Sequence, residues 1–116
     1  MFPGNPPGVR FFIKPGPTDL RKSINGLSIM AQEGLAQDPF SGNIFVFCNR
    51  RRTILKVCYW ERNGFCLWLK RLEKDRFPWP DTVSEGMEIR REQFLWLLSG
   101  IDFFRAHRDL KYTKLN

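Results

Sequence analysis

The chain has 116 residues, of which 42% are hydrophobic and 15% aromatic, so it holds enough apolar material for a folded core and too much for a disordered protein. This length predicts a single domain over residues 1–116, because domains commonly run to roughly 100 to 200 residues. The formal charge of +7 and the pI near 9.8 point to an acidic partner.

The two ends of the chain differ in composition from the middle. Residues 1–8 contain three prolines and two glycines, which predicts a flexible leader, and they lack the charged and apolar regions of a secretory signal. Residues 105–116 mix basic and polar side chains, and we predict a flexible tail there. No apolar run approaches the roughly 20 residues of a membrane-spanning helix, so we expect a cytoplasmic protein that makes no membrane contact.

The first predicted elements are a short strand and a long helix. Residues 9–14 are rich in β-forming side chains, and Pro15-Gly16-Pro17 ends that run with a turn. Thr18 is the expected N-cap of the helix that follows. From residue 20 to residue 35 the apolar side chains recur at steps of three and four, which is the spacing of one helical stripe, and Asp38-Pro39 marks the exit.

A buried strand and a hairpin are predicted next. Residues 44–48 form a continuous apolar run that is typical of a central strand covered on both faces. Residues 53–60 and 65–72 have the composition of two further strands. The Asn63-Gly64 dipeptide between them is a strong signal for a two-residue hairpin turn.

The last third of the chain predicts a smaller set of elements. Residues 77–80 (Phe-Pro-Trp-Pro) cannot continue a central strand, since proline lacks the ladder donor, and we interpret them as a rigid aromatic clip. Residues 87–89 suit a short strand, and residues 91–99 a second helix that Gly100 stops. The predicted fold is α+β: a small antiparallel sheet with a central hairpin, packed by one long helix and a shorter C-terminal helix.

The sequence offers no set of residues for catalysis or metal binding. Cys48, Cys58 and Cys66 contain no CxxC pair and lie in apolar runs, which favours buried free thiols over a disulfide or a zinc site. His107 is the single histidine, and there is no GxxxxGK phosphate loop. The aspartates lie where caps and turns favour them. We therefore expect no catalytic residue, no metal, no cofactor, no small-molecule substrate and no enzymatic activity.

The positive charge is concentrated in one segment. Residues 49–76 hold nine Lys or Arg against three acidic residues, a net charge of +6, whereas the rest of the chain carries ten against nine. Such a segment can follow a phosphate backbone by displacing counterions, although a solvated surface is the alternative. The residues predicted to contact nucleic acid are Arg50, Arg51, Arg52, Arg62, Lys70, Arg71, Lys74 and Arg76.

Aromatic residues are interleaved with these charges. Tyr59 and Trp68 are predicted to share one side of the hairpin, and with Phe77 and Trp79 they are candidate anchors for a protein partner. Rings in this segment could also stack on bases, while the plainer alternative is that they form the core.

Ordered sequence blocks between residues 9 and 102 resemble one known family, the second open reading frame (TnpB-type) of the insertion sequence 66 family. The blocks that carry the resemblance are Thr18-Asp19-Leu20-Arg21-Lys22, Gly26-Leu27, Asp38-Pro39-Phe40-Ser41-Gly42, Ile44-Phe45-Val46-Phe47, Tyr59-Trp60, Asn63-Gly64-Phe65-Cys66-Leu67, Lys70-Arg71-Leu72-Glu73, Phe77-Pro78-Trp79-Pro80 and Gly100-Ile101-Asp102. Arg90 departs from the pattern, which usually has Thr or Ser as the cap of the last helix.

The resemblance implies a protein encoded beside a separate, larger transposase, required for efficient transposition and without a known activity of its own. It supplies no catalytic residues to assign. Two hypotheses follow for a bacterial protein of this kind. In the first, it is a non-catalytic accessory factor that contacts DNA through the basic hairpin face, without strong sequence specificity of its own. In the alternative, it is an adaptor that docks on the transposase or another accessory protein through its aromatic surface.

Overall fold

The computed structural model describes residues 8–81 and 87–100. The predictions for the leader, except at Gly8, and for the tail fall outside these residues, as do Asp102 and His107.

Five strands form one sheet with a helix on each side, which confirms the α+β class. The order of the strands across the sheet is β4-β3-β2-β1-β5. Strands β1 and β2 run parallel and the other neighbours antiparallel. The elements in chain order are β1 (Phe11–Ile13), α1 (Ile24–Gly34), β2 (Ile44–Cys48), β3 (Ile54–Glu61), β4 (Gly64–Arg71), β5 (Met87–Ile89) and α2 (Arg91–Leu98).

The hairpin of β3 and β4 lies at one edge of the sheet and not at its centre, where β2 lies instead. All five residues of β2 are buried, as its unbroken apolar run predicts. Phe45 and Phe47 point toward α1 and pack with Leu27 and Ala31 of that helix. Alternate β2 residues belong to the core on the opposite side, which includes Phe77, Trp79 and the α2 residues Phe94, Leu97 and Leu98.

Helix α1 begins four residues later than its apolar stripe predicts. The N–H of Thr18 donates to the carbonyl oxygen of Cys48 at 2.8 Å, which keeps this part of the chain extended beside β2. Ser23 is the N-cap, with a φ of −70°, a ψ of 176° and a side chain that accepts from the N–H of Gly26. The expected role of Thr18 as N-cap is therefore wrong.

The hairpin turn is also displaced by one residue. Glu61 pairs with Gly64, so the turn consists of Arg62 and Asn63. Arg62 takes a left-handed φ of 52°, which an Asn or Gly would adopt more readily. The strand pairing consequently slides by two residues from the predicted register, and each side chain keeps its predicted face because the side-chain period of a strand is two.

The aromatic clip belongs to the core. Phe77 is 1% exposed and Trp79 is 6% exposed. The indole N–H of Trp79 donates to the carbonyl oxygens of Lys14 and Gly16, both at 3.0 Å. Phe77 and Trp79 therefore hold the segment after β4 against the end of β1, and they are not surface anchors as predicted.

Helix α2 starts at Arg91, and Gly100 follows it with a φ of 80°, both as predicted. Arg90 takes the N-cap position without the hydroxyl of a Thr or Ser. Its backbone N–H donates to Oε1 of Gln93 at 2.7 Å, which is half of a capping box. The start of the helix is therefore stabilised by the Gln93 side chain and not by a hydroxyl of the cap residue.

Candidate nucleic-acid interface

The parallel pairing of β1 and β2 brings the loops that follow these strands to the same end of the sheet. Residues 17–21 follow β1, and residues 49–52 follow β2. The N–H of Lys14 donates to the carbonyl of Val46 at 3.0 Å, and the Thr18 bond to Cys48 continues this pairing beyond β1. Side chains that lie far apart in the sequence therefore meet where both strands end.

Asn49 organises the second of these loops. Its Oδ1 accepts from the N–H of Thr53 at 2.9 Å and of Ile54 at 3.0 Å, and its Nδ2 donates to Oγ1 of Thr53 at 3.1 Å. The N–H of Arg52 donates to the carbonyl of Asn49 at 3.1 Å, and Arg52 has a left-handed φ of 63°. Arg50 and Arg51 are thus held at the tip of a loop with fixed backbone geometry.

Between the two loops lies a cleft of about 700 Å³, which we call the basic cleft. Its wall and floor include Ile54 and Lys56 of β3 and Leu69 of β4. Four cations and one carboxylate line it, a net charge of +3. They are Arg21, Arg50, Arg51, Lys56 and Asp19.

The cations of the basic cleft differ in how far they are neutralised. Arg21 forms a two-point ion pair with Asp19, with bonds of 3.0 and 2.9 Å, and this pairing lowers the pKa of Asp19 to about 2. Nζ of Lys56 donates to the carbonyl oxygen of Leu20. Within residues 8–81 and 87–100, Arg50 and Arg51 have no acidic side chain in ion-pair distance. No described carboxylate therefore neutralises these two cations.

Of the other predicted cations, several lie at the same end of the sheet, and some are already paired. Arg52 bonds to Asp81, and Arg71 bonds to Glu73 at 3.1 Å. Nζ of Lys70 donates to the carbonyl of Leu98 at 2.6 Å, where it satisfies the last turn of α2 and meets the negative end of that helix.

Lys74 and Arg76 are exposed on the loop after β4. This loop is tied to the end that carries the basic cleft, because the N–H groups of Leu72 and Phe77 donate to the carbonyls of Thr53 and Arg52. Lys74 and Arg76 can therefore extend the positive surface of the basic cleft along that end of the sheet.

Arg62 does not join this surface. It lies at the tip of the hairpin, and the eight residues of β3 place it about 25 Å from the Arg50–Arg51 loop at roughly 3.3 Å per residue. Arg62 therefore lies apart from Arg50, Arg51 and Arg52, at the opposite end of the hairpin.

Three functional candidates were missed by the sequence prediction. Arg21 was placed in the predicted helix, Lys56 was counted only toward segment charge, and Thr18 was taken as a helix cap. The signal that joins them is spatial: all three line the basic cleft because β1 and β2 are parallel.

The exposed apolar side chains of the hairpin lie on its α1 face. The rings of Phe40, Trp60 and Phe65 pack together with centroid distances of 5.0 to 5.3 Å. Leu67 and Leu69 of β4 follow on the same face, 38% and 52% exposed. We call these five residues the hairpin apolar face. Tyr59 and Trp68 are half-buried on the opposite side, where they pack against the α2-side core.

The chain matches the family described as IS66 Orf2 like protein over residues 9–108, which is most of its length. The chain belongs to this family. The resemblance carried by the sequence blocks is therefore confirmed, and membership associates this IS66 Orf2 like protein with an insertion sequence and its transposition.

Two relatives of this IS66 Orf2 like protein come from Sinorhizobium fredii (strain NBRC 101917 / NGR234). The protein y4hO, described as uncharacterized, is 38% identical over 107 residues, which cover 92% of this chain and 93% of the relative. The protein y4jC, also described as uncharacterized, is 34% identical over 101 residues, covering 87% and 86%. No solved structure matches the chain.

The described part of the IS66 Orf2 like protein contains no cluster of three or more His, Cys, Asp or Glu side chains placed to hold a metal ion. Neither of its described helices has the length and apolar character required to span a membrane.

Proposed function

We propose that this IS66 Orf2 like protein assists transposition as a non-catalytic accessory factor. It binds DNA through the basic cleft and the adjoining loop that carries Lys74 and Arg76. The observation that carries the proposal is the pair Arg50 and Arg51, exposed, without an acidic partner among the described residues and fixed by the Asn49 loop. Because the loop backbone is already ordered, binding a phosphate here requires the ordering of the two arginine side chains only.

The expected binding is largely independent of sequence. Arg50 and Arg51 project from a loop, Lys74 and Arg76 lie on a second loop at the same end, and no described helix carries a row of basic residues that could enter a major groove. Contacts of this kind read phosphates and release counterions, so affinity falls steeply as salt rises.

Replacing Arg50 and Arg51 together with Ala tests this proposal. We expect weaker binding to every DNA sequence at low salt, and a slope of log affinity against log salt that is shallower by about 2, because two phosphate contacts are lost. Fluorescence anisotropy with labelled DNA over a salt series measures both quantities.

Arg62→Ala is the matched control, since it removes one Arg from the same segment but from the far end of the hairpin. Its affinity and salt slope should equal those of the unaltered protein. An Arg50/Arg51 variant that binds as tightly as the Arg62 variant would exclude the basic cleft as the DNA contact.

A second candidate function is that of an adaptor for the transposase. The observation that favours it is the hairpin apolar face, which exposes Phe40, Leu67 and Leu69 next to β4, the strand at one edge of the sheet in the described part of the chain. Exposed apolar side chains beside an edge strand are a common basis for protein contacts. This surface replaces the Tyr59, Trp68, Phe77 and Trp79 set expected from the sequence.

A further inference from the structure

The basic cleft has two chemically different parts. Arg50 and Arg51 are exposed on one of its two loops, while Leu20, Ile54 and Leu69 contribute apolar side chains to its lining. A hydrated phosphate backbone gains nothing from apolar walls. The flat face of a nucleobase or a sugar does, because it buries apolar surface there.

The size of the cleft also exceeds what a phosphate group needs. Its volume of about 700 Å³ lies within the roughly 300 to 1,000 Å³ that is usual for sites that enclose a small organic molecule. The backbone of an intact duplex can touch the rim, but its bases are stacked and paired and cannot enter a recess between two loops.

Thr18 gives a second, independent indication of a ligand. It lines the cleft and is 5% exposed, and its Oγ1 is buried without a hydrogen-bond partner among the described residues. A buried hydroxyl that makes no hydrogen bond is unfavourable, so native proteins seldom keep one without a reason. Because this oxygen is closed to solvent, the Thr18 side chain must turn toward the cleft before a polar atom of a ligand can supply the missing partner.

We propose that the basic cleft holds a single unpaired nucleotide of a DNA strand. Its phosphate lies on Arg50 and Arg51, its sugar and base lie against Leu20, Ile54 and Leu69, and a polar atom of it bonds to the Thr18 hydroxyl. The inference rests on the proposed function and makes it more specific. The protein prefers DNA with unpaired nucleotides, such as an overhang or a frayed end, to a closed duplex.

The experiment compares the affinity of the whole protein for three labelled DNAs of the same sequence: a blunt duplex, the duplex with a short single-stranded overhang, and the free single strand. We expect the overhang and the single strand to bind more tightly than the blunt duplex. In Thr18→Val this preference should shrink by about threefold to tenfold, as expected for one lost hydrogen bond, while blunt-duplex affinity is unchanged.

A second pair of variants tests the cleft without touching a buried residue. Leu69→Glu puts a carboxylate into the wall of the cleft and should abolish the preference for unpaired DNA. Leu67→Glu adds the same charge to the same face of β4 outside the cleft lining, and it should retain the preference. Both positions are exposed enough to tolerate the change.

The outcomes separate the two proposals. Equal affinity of the unaltered protein for blunt and overhanging DNA would overturn the nucleotide site and leave DNA binding intact. Absence of binding to all three DNAs would overturn both. Competition by free deoxynucleoside monophosphate without any preference among the DNAs would show that the cleft binds free nucleotides, which also overturns the strand-bound nucleotide proposed here.

Discussion

The thiols of Cys48 and Cys58 are buried in the core, whereas that of Cys66 lies near the surface. Burial raises the pKa of Cys48 to about 12 and that of Cys58 to about 11, mainly because the thiolate would lose its hydration. Cys66 is half-buried on β4, with its Sγ 3.6 Å from Oε2 of Glu61. The prediction of buried free thiols is confirmed for Cys48 and Cys58, and Cys66 is more accessible than predicted.

This difference predicts selective alkylation. At about pH 8, well below both raised pKa values, Cys48 and Cys58 stay protonated and inaccessible, so iodoacetamide should modify Cys66 first. Peptide mass spectrometry after a short exposure measures the site of modification. The same treatment in guanidinium should label all three residues, and rapid labelling of Cys48 in the folded protein would contradict the described core.

Aromatic residues show where residue-level prediction stops. The sequence places Phe77 and Trp79 in a Pro-rich segment, which can be either an exposed clip or a buried one. The deciding contact is the bond from the Trp79 indole to the carbonyls of Lys14 and Gly16, more than 60 residues away in sequence. Local pattern contains no information on such a contact.

At the scale of elements, the type of each helix and strand was predicted more accurately than its boundaries. All five strands and both helices were expected, but α1 starts late and the hairpin turn is displaced by one residue. In both cases a long-range pairing overrides a local signal: the Thr18 bond to Cys48 extends the chain where a helix was expected, and the pairing of β3 with β4 draws Gly64 into the strand.

The position of the α1 cap can be tested by two substitutions. Ser23→Ala removes the hydroxyl that accepts from Gly26, and we expect the free energy of unfolding to fall by about 0.5 to 1 kcal/mol. Thr18→Val removes a buried hydroxyl without a described partner and keeps its volume, so we expect a change within about 0.5 kcal/mol or a slight gain.

Urea unfolding followed by circular dichroism measures both free energies under the same conditions. If Thr18→Val proved the more damaging of the two, the Thr18 hydroxyl would have a stabilising partner in the folded protein, which would contradict its description as unpaired.

At the scale of the whole molecule, the strand order was the part that the sequence could not provide. An apolar run predicts a central strand, and β2 fills that place. Nothing in the same run reveals that β1 will join it in parallel, since the partner of a strand depends on how the intervening helix crosses the sheet. The basic cleft depends on this parallel pair, so counting charges along the sequence found three of its four cations and missed Arg21.

The adaptor hypothesis belongs to this scale because it concerns the hairpin apolar face as a unit. Phe40→Ala combined with Leu67→Ser should abolish co-purification with the element's transposase from nuclease-treated lysate, because it removes exposed apolar area without opening the core. Leu95→Ser on α2, an equally exposed leucine on the other side of the sheet, is the control.

Loss of association in the α2 control variant alone would place the docking surface on the opposite side of the molecule. A transposase that fails to co-purify even with the unaltered protein would exclude the adaptor function under these conditions, whatever the DNA affinity.

The pairing of β5 with β1 constrains how the protein can be made. Arg10 and Glu88, 78 positions apart in sequence, form a two-point ion pair across this strand pair, with bonds of 2.9 and 2.6 Å. A nascent chain on the ribosome thus has its first strand without one of its neighbours until residue 89 has emerged from the exit tunnel. Phe11 likewise lacks its later partner Phe94 until that residue has been made, so the sheet is completed only after β2, β3 and β4 have been synthesised.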